Sequence, residues 1–443
     1  MALLANRAAW GAFVALIVVS PMRGRIVLHA RRTGTLYRDY TDVLLFASDV
    51  ALLLTVGLWL LSLTLDHRRV WFGPAFLRWP AVVVLVSAAV GIASAVDRTL
   101  TAYSVLRFVA LAALAVFVVN EVGELARVVA PIAAMVVVQS VVGLAQVVGQ
   151  RSIGIGWLGE HVLSPSLGVS VITSDDGLRT LRAYGLTDHP NILGGLLAMG
   201  VVLLVVAVGA PTVGRSRQNV ASVAFALGVA ALLVTFSRGA WIGVLVGLGV
   251  VMLMVTSMGD GAARRRLGGA CLLGALAAAP FALAFRHDVS VRTSASRRSA
   301  TEVRSVSERV ALSDAATRIV SHHPLAGVGL GGLPVAMQTA APALAYPYQP
   351  AAVVLLDVTA ELGVVGGAAY FVAVVAPWIA LLRRRHRWTL ELALTSGALA
   401  VLTVVGLFDY YPWTYSAGRI WAWLVPALWA VTYRNATVST DAV

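Results

Sequence analysis

Four short blocks of this sequence carry arginine or histidine, RAYGLTDHPNILGG at 182–195, SRGAW at 237–241, SVSERVAL at 305–312 and HHPLAGVGLGGLP at 322–334, and a fifth, QPAAVVLLDVTAELG at 349–363, carries Gln349, Asp357 and Glu361. Arginine suits the grip of an oxyanion, because its guanidinium stays charged and offers a planar fork of donors to a phosphate. In the first block a helix is expected to open at Pro190, capped by Asp188 or Thr187, with its first-turn N–H groups pointing outwards. Arg182, His189 and Asn191 around that start make a candidate anion site, although the dipeptide His189-Pro190 alone reads equally as the end of a polar loop. Arg238 sits in a Ser-Arg-Gly turn between two apolar runs with no acid near it in sequence. At a membrane surface that favours a phosphate arriving with a substrate. The pair Asp175-Asp176 reads as a solvated turn, since it brings no further ligands. No metal and no other cofactor is expected.

The elements that must position these blocks are membrane helices. The chain of 443 residues is 59% hydrophobic and 12% charged, with a mean hydropathy of +0.84, which indicates an all-α polytopic membrane protein. Apolar runs near 8–22, 43–65, 80–96, 100–119, 127–149, 191–210, 220–236, 239–258, 268–285, 362–382, 390–408 and 418–433 predict about twelve transmembrane helices. The first is expected to be a retained span and not a cleaved signal. Short basic loops at Arg68, Arg69 and Arg78, at Arg264 to Arg266, and at Arg383, Arg384, Arg385 and Arg387 agree on one side, which the positive-inside rule makes cytoplasmic. The expected organisation is helices one to nine over 1–285 with an outer loop at 150–190, a large outer loop at 286–361 carrying most of the motifs, helices ten to twelve over 362–433, and a cytoplasmic tail at 434–443.

The formal net charge is +13, and every basic residue is Arg. The outer segments share in that charge, so an anionic ligand or anionic lipid headgroups are expected there, while snorkelling to headgroups accounts for many of these side chains. Within the spans, Asp49 and Arg107 are expected to face the bundle interior and pair, whereas Asp42 lies near enough to a helix end to be wet. Cys271 has no partner in the chain, so no disulfide contributes. The aromatic stretch FDYYPWTYSAGRIW at 408–421 reads as an interface belt, or as a surface on which sugar rings stack.

Taken together and in order, the five blocks resemble the O-antigen ligase and O-antigen polymerase family of bacterial membrane glycosyltransferases. The resemblance covers roughly residues 180–370. It implies a multi-pass protein of the bacterial cytoplasmic (inner) membrane with its active face outward, serving lipopolysaccharide or other cell-envelope polysaccharide synthesis. Its donor would be an undecaprenyl-diphosphate-linked glycan, its acceptor a hydroxyl of a glycan, lipid or protein. Membrane lipids would surround it, and no nucleic acid is involved. The resemblance further implies Arg238 and Arg309, with Arg182, as diphosphate ligands, and His189, Asn191 and Gln349 as residues shaping the substrate site.

A diphosphate is already a good leaving group, so the enzyme must chiefly neutralise its charge and position the acceptor. Arginines then do the work of a divalent cation, and a sugar hydroxyl still needs a general base. Here the sequence departs from the family, because Ala352 stands where the family's proposed catalytic His is expected. Three accounts follow: an inactivating His→Ala substitution, another residue acting as base, or a member without transferase activity. His323, His322, Asp357 and Glu361 are the candidate replacements, although the two histidines read equally as loop residues and Glu361 as a brace of its helix. The reading from another class is a transporter or flippase of polyprenyl-linked glycans, which no internal repeat supports.

Overall fold

The computed structural model describes residues 1–31, 38–174, 177–205, 215–293, 300–342 and 349–438; Asp175 and Asp176 lie outside the described residues. The helices are α1 (Ala2–Val19), α2 (Ala47–Asp66), α3 (Ala75–Gly91), α4 (Arg98–Glu121), α5 (Ala126–Gly149), α6 (Pro190–Leu204), α7 (Arg215–Val234), α8 (Arg238–Ser257), α9 (Gly261–Ala284), α10 (Arg286–Thr293), α11 (Ala300–His322), α12 (Leu333–Ala340), α13 (Val354–Arg383), α14 (Leu390–Phe408), α15 (Tyr411–Thr414) and α16 (Ser416–Val438). Two antiparallel pairs interrupt them, β1 (Arg25–His29) with β2 (Val43–Phe46) and β3 (Val171–Thr173) with β4 (Arg179–Leu181).

Each of the twelve apolar runs overlaps a helix, as the all-helical expectation requires. Among the described residues, eight helices are long and apolar enough to cross a membrane: α1, α2, α4, α5, α8, α9, α13 and α14. The apolar helices α3 and α6, and the apolar part of α7, are shorter. The run beginning at residue 43 opens as strand β2 and not as helix, and α16 continues past the boundary expected at 433.

At the centre, α6 is buried along nearly its whole length, and α14 is buried over most of its first half. The outer helices instead show leucines to their surroundings, such as Leu245, Leu253, Leu272 and Leu276, as expected where lipid is the solvent. Small residues let backbones close up: a Cβ on Gly247 of α8 would stand 2.8 Å from the Gly397 carbonyl of α14.

Opposite charges meet inside the bundle. Arg107 donates to Asp49 at 2.7 Å and to Ser416 at 2.7 Å, so the expected pairing within the bundle forms. Asp42, expected to be wet, is 2% exposed, because the β1–β2 hairpin folds over it and the Arg31 N–H donates to its carboxylate.

The 286–361 segment, read from sequence as a long polar loop, carries α10, α11 and α12 and the first turns of α13. Polarity concealed them: α11 and α12 are amphipathic about a small satellite core, while Val291 of α10 is buried in the main core. Leu312, Ala315, Ala316 and Ile319 follow helical spacing and are buried against Val328, Leu333, Met337 and Ala360.

Beneath this core α13 is broken. Gly363 takes φ 73 and ψ −179 inside the helix, which frees carbonyls that a continuous helix would have used. The glycine turn after α11 supplies the missing donors: Val328 N–H to Ala360 O at 2.9 Å, Gly329 N–H to Glu361 O at 3.0 Å, and in return Val364 N–H to Pro324 O at 2.8 Å. A Cβ on Gly363 would lie 2.1 Å from the Leu325 carbonyl. Gly363→Ala is therefore expected to cost at least roughly 1–3 kcal/mol through its positive φ alone, with the clash adding to it. A thermal melt in detergent should show a clearly lowered midpoint for Gly363→Ala and none for Val364→Ala, whose side chain is exposed.

Candidate functional site

Several helix ends meet at one cavity of about 740 Å³. Its wall includes Arg182, just after β4; His189 and Asn191, at the start of α6; Arg238, the first residue of α8; Arg292 of α10; Arg309 of α11; and Asp409, which follows α14. The starts of α6 and α8 both face it, so first-turn amides and the positive ends of two helix dipoles add to the arginine charge.

Arg182 is the structural centre of the wall. It is 5% exposed, and its guanidinium donates to Thr235 O at 2.8 Å, Ser170 Oγ at 2.7 Å and Asn191 Oδ1 at 2.6 Å. These three acceptors are neutral. Burial, with Arg292 adjacent, lowers its pKa to about 9, yet it stays charged near neutral pH. Asn191 relays the charge outwards, its amide donating to Asp409 Oδ2 at 2.7 Å. Asp409 is pushed above the usual carboxylate range by burial, against the pull of Asn191 and Arg309.

The cap of α6 is not Asp188 or Thr187 but His189, whose Nδ1 accepts the Asn191 N–H at 3.1 Å. Asp188 turns away because two arginines claim it, Arg23 at 3.1 Å and Arg25 at 2.7 Å, and Thr187 Oγ1 donates to Tyr184 O. Desolvation, with Arg182 and Arg309 repelling a proton, holds His189 at about 3, so near neutral pH its ring is an uncharged acceptor.

Other residues singled out in the sequence lie apart from this wall. His322 and His323 are exposed at the end of α11, and Gln349 and Ala352 are half-buried; none of the four lines the cavity. Glu361 is 3% exposed and accepts from Trp413 Nε1 at 2.7 Å and from the Leu333 N–H at 3.3 Å. It braces the glycine turn against α15 and lines a second, smaller cavity with Arg107 and Arg419. Asp357 takes the Ala351 N–H at 2.9 Å and ties down the segment before α13. Tyr411 and Trp413, read as belt aromatics, are 2% and 5% exposed and belong to the packed interior.

Sequence reasoning missed Arg292 and Asp409 as wall residues. Asp409 was visible only as the acid of an aromatic loop, and nothing in the spacing ties residue 409 to residue 191.

An all-helical bundle with eight helices suited to crossing a membrane among the described residues defines a multi-pass membrane protein, with an arginine-rich cavity at its helix ends. Residues 223–371 match the family model described as O-antigen ligase, so that segment is similar to a family of membrane glycan-transfer proteins. No curated relative matches the chain. The matched segment holds Arg238 and Arg309, whereas Arg182, Asn191 and Asp409 fall outside it.

The His189 shift has a measurable consequence. Its pKa lies below the usual value of about 6.5, so as pH falls below about 6.5 the unfolded chain takes up a proton that the folded one refuses, and stability falls towards pH 3. The thermal midpoint should therefore drop more between pH 7 and pH 5 in the natural chain than in His189→Asn, which keeps a capping acceptor but cannot titrate; equal drops would show that His189 is not held neutral.

Proposed function

We propose that this protein transfers a glycan from an undecaprenyl diphosphate carrier to an acceptor hydroxyl at the outer face of the bacterial cytoplasmic membrane, in the manner of an O-antigen ligase or polymerase, and that all twelve apolar helices span. The observation that carries the reading is the convergence of Arg182, Arg238 and Arg309 on one cavity, two of them in the segment that matches the family.

In this reading Arg238 and Arg309, both exposed to the cavity, grip the diphosphate. Arg182, with most of its donors already engaged, holds Asn191 and supplies fixed positive potential. The acceptor oxygen attacks the anomeric carbon and forms the new glycosidic bond. The bond from that carbon to the diphosphate oxygen breaks, and its electron pair leaves on the diphosphate, where the arginines stabilise it.

The acceptor proton needs a base, and Asp409 supports that role better than the residues near Ala352. It lines the cavity, its raised pKa suits proton uptake, and Asn191 orients it. Ala352 then marks a member that has moved its base to another helix end. His323 and Glu361 are set aside as bases, the first because it lies exposed away from the cavity, the second because its two oxygens are engaged in bracing. His189 and Asn191 shape the site, and Gln349 is left with the segment ahead of α13.

The test is glycan transfer in membranes from an undecaprenyl-diphosphate-linked donor, comparing the natural chain with Arg238→Ala, Asp409→Asn and Ala352→His. The natural chain should be active. Arg238→Ala should lose about 10²–10³-fold in rate and Asp409→Asn about 10²–10⁴-fold, with Ala352→His changing little. Activity that appears only with histidine at 352 would overturn Asp409 as the base and identify the chain as a silenced transferase; none in any form would favour transport or scaffolding.

A further inference from the structure

A second basic cavity lies towards the other end of α13. It measures about 410 Å³ and is walled by Arg383, Arg384 and Arg434 together with Trp71, Phe76 and Tyr433. The arginines are held in place by aromatic faces: Arg434 lies 4.8 Å from the Trp71 ring and donates to Val119 O at 3.0 Å, while Arg384 lies 5.5 Å from the Tyr433 ring. Tyr433 is itself stacked on Trp429 with ring centroids 4.8 Å apart. Stacking occupies the face of a guanidinium and leaves its edge, which carries the N–H donors, for an oxyanion.

An apolar groove of about 530 Å³ adjoins this cavity. Phe76 belongs to both, and the groove continues along α3 through Trp79 and Val83 and along α13 through Ala369 and Val372. Its lining is almost wholly hydrocarbon. From Ala380 at the cavity back to Ala369 the helix rises roughly 16 Å at 1.5 Å per residue, the depth of one leaflet of a hydrocarbon core about 30 Å thick.

We infer that this cavity and groove form a binding site for one anionic phospholipid, its phosphate on Arg383, Arg384 and Arg434 and an acyl chain along the α3–α13 groove. The arginine run 383–387 is the most basic short loop of the chain, which the positive-inside rule assigns to the cytoplasmic leaflet, where anionic lipids meet basic pockets between helices. A free phosphate shares the headgroup chemistry and explains the arginines, but it leaves the contiguous groove without an occupant. The site is separate from the arginine-lined cavity at the ends of α6 and α8 and does not depend on the activity proposed for it.

The experiment uses the full chain purified in detergent, with bound lipid counted by native mass spectrometry and thermal midpoints followed in parallel. The additions are phosphatidylglycerol, phosphatidylcholine or inorganic phosphate alone. Phosphatidylglycerol should be retained by the protein and raise the midpoint, well above the effect of the other two. The double variant Arg384→Gln, Arg434→Gln should weaken retention by about tenfold or more. Val372→Trp, at a position that is exposed in the fold, should weaken it by filling the groove while leaving the midpoint without lipid unchanged. Equal retention of the two lipids, or an equal midpoint shift from inorganic phosphate, would overturn the proposal. So would undiminished phosphatidylglycerol retention by Val372→Trp.

Discussion

The break in α13 at Gly363 is the constraint on which the surrounding architecture depends. A helix interrupted near a membrane leaves backbone carbonyls without partners, and hydrocarbon offers none. Here the glycine turn at 327–331 lends its amides to Ala360 and Glu361, and Val364 repays Pro324. The exchange works only at very close range, which is why a Cβ on Gly327 would stand 2.3 Å from the Glu361 carbonyl carbon. Two stretches that resemble loops in sequence thereby become one rigid joint. Glu361 extends that joint to Trp413 and so to α15, and the satellite core of α11 and α12 rests on it.

Charge is handled in two different ways around Arg107 and Arg182. Around Arg107, opposite charges meet directly: Asp49 accepts at 2.7 Å and the interior is neutralised. Around Arg182 the first partners are neutral oxygens, and the nearest acid along its hydrogen bonds, Asp409, is reached through Asn191. A pair closed on itself has little to offer a ligand, whereas a positive wall with its carboxylate set one residue away keeps an excess of potential inside the cavity. This contrast separates an arginine paired with a carboxylate from one held by neutral oxygens.

α13 reaches from the satellite core to the second basic cavity. Its first turns carry the brace beneath the satellite core, and its last residue, Arg383, lines the second basic cavity with Arg384 just after it and Arg434 of α16. Polar work is thus confined to helix ends, and the apolar middle of the bundle is left to small-residue contacts such as that between α8 and α14.

The long apolar helices were legible because a helix crossing hydrocarbon must be apolar over about 20 residues, a signal local in sequence. The arginines were legible for a related reason: a charge beside such a run is costly and stands out, as Arg238 does between two of them. The short strands and α10 to α12 were not, since their polar faces hide them among loops and their stability comes from a core that only the folded chain assembles. The cap at His189 was decided by competition, because Arg23 and Arg25 drew Asp188 away over a distance no local rule reads. Asp409 became a wall residue by tertiary structure alone. Its oxygen meets the Asn191 amide across 218 positions, and the sequence determines which side chains can hold charge while only the packing of helix ends decides which of them share a cavity.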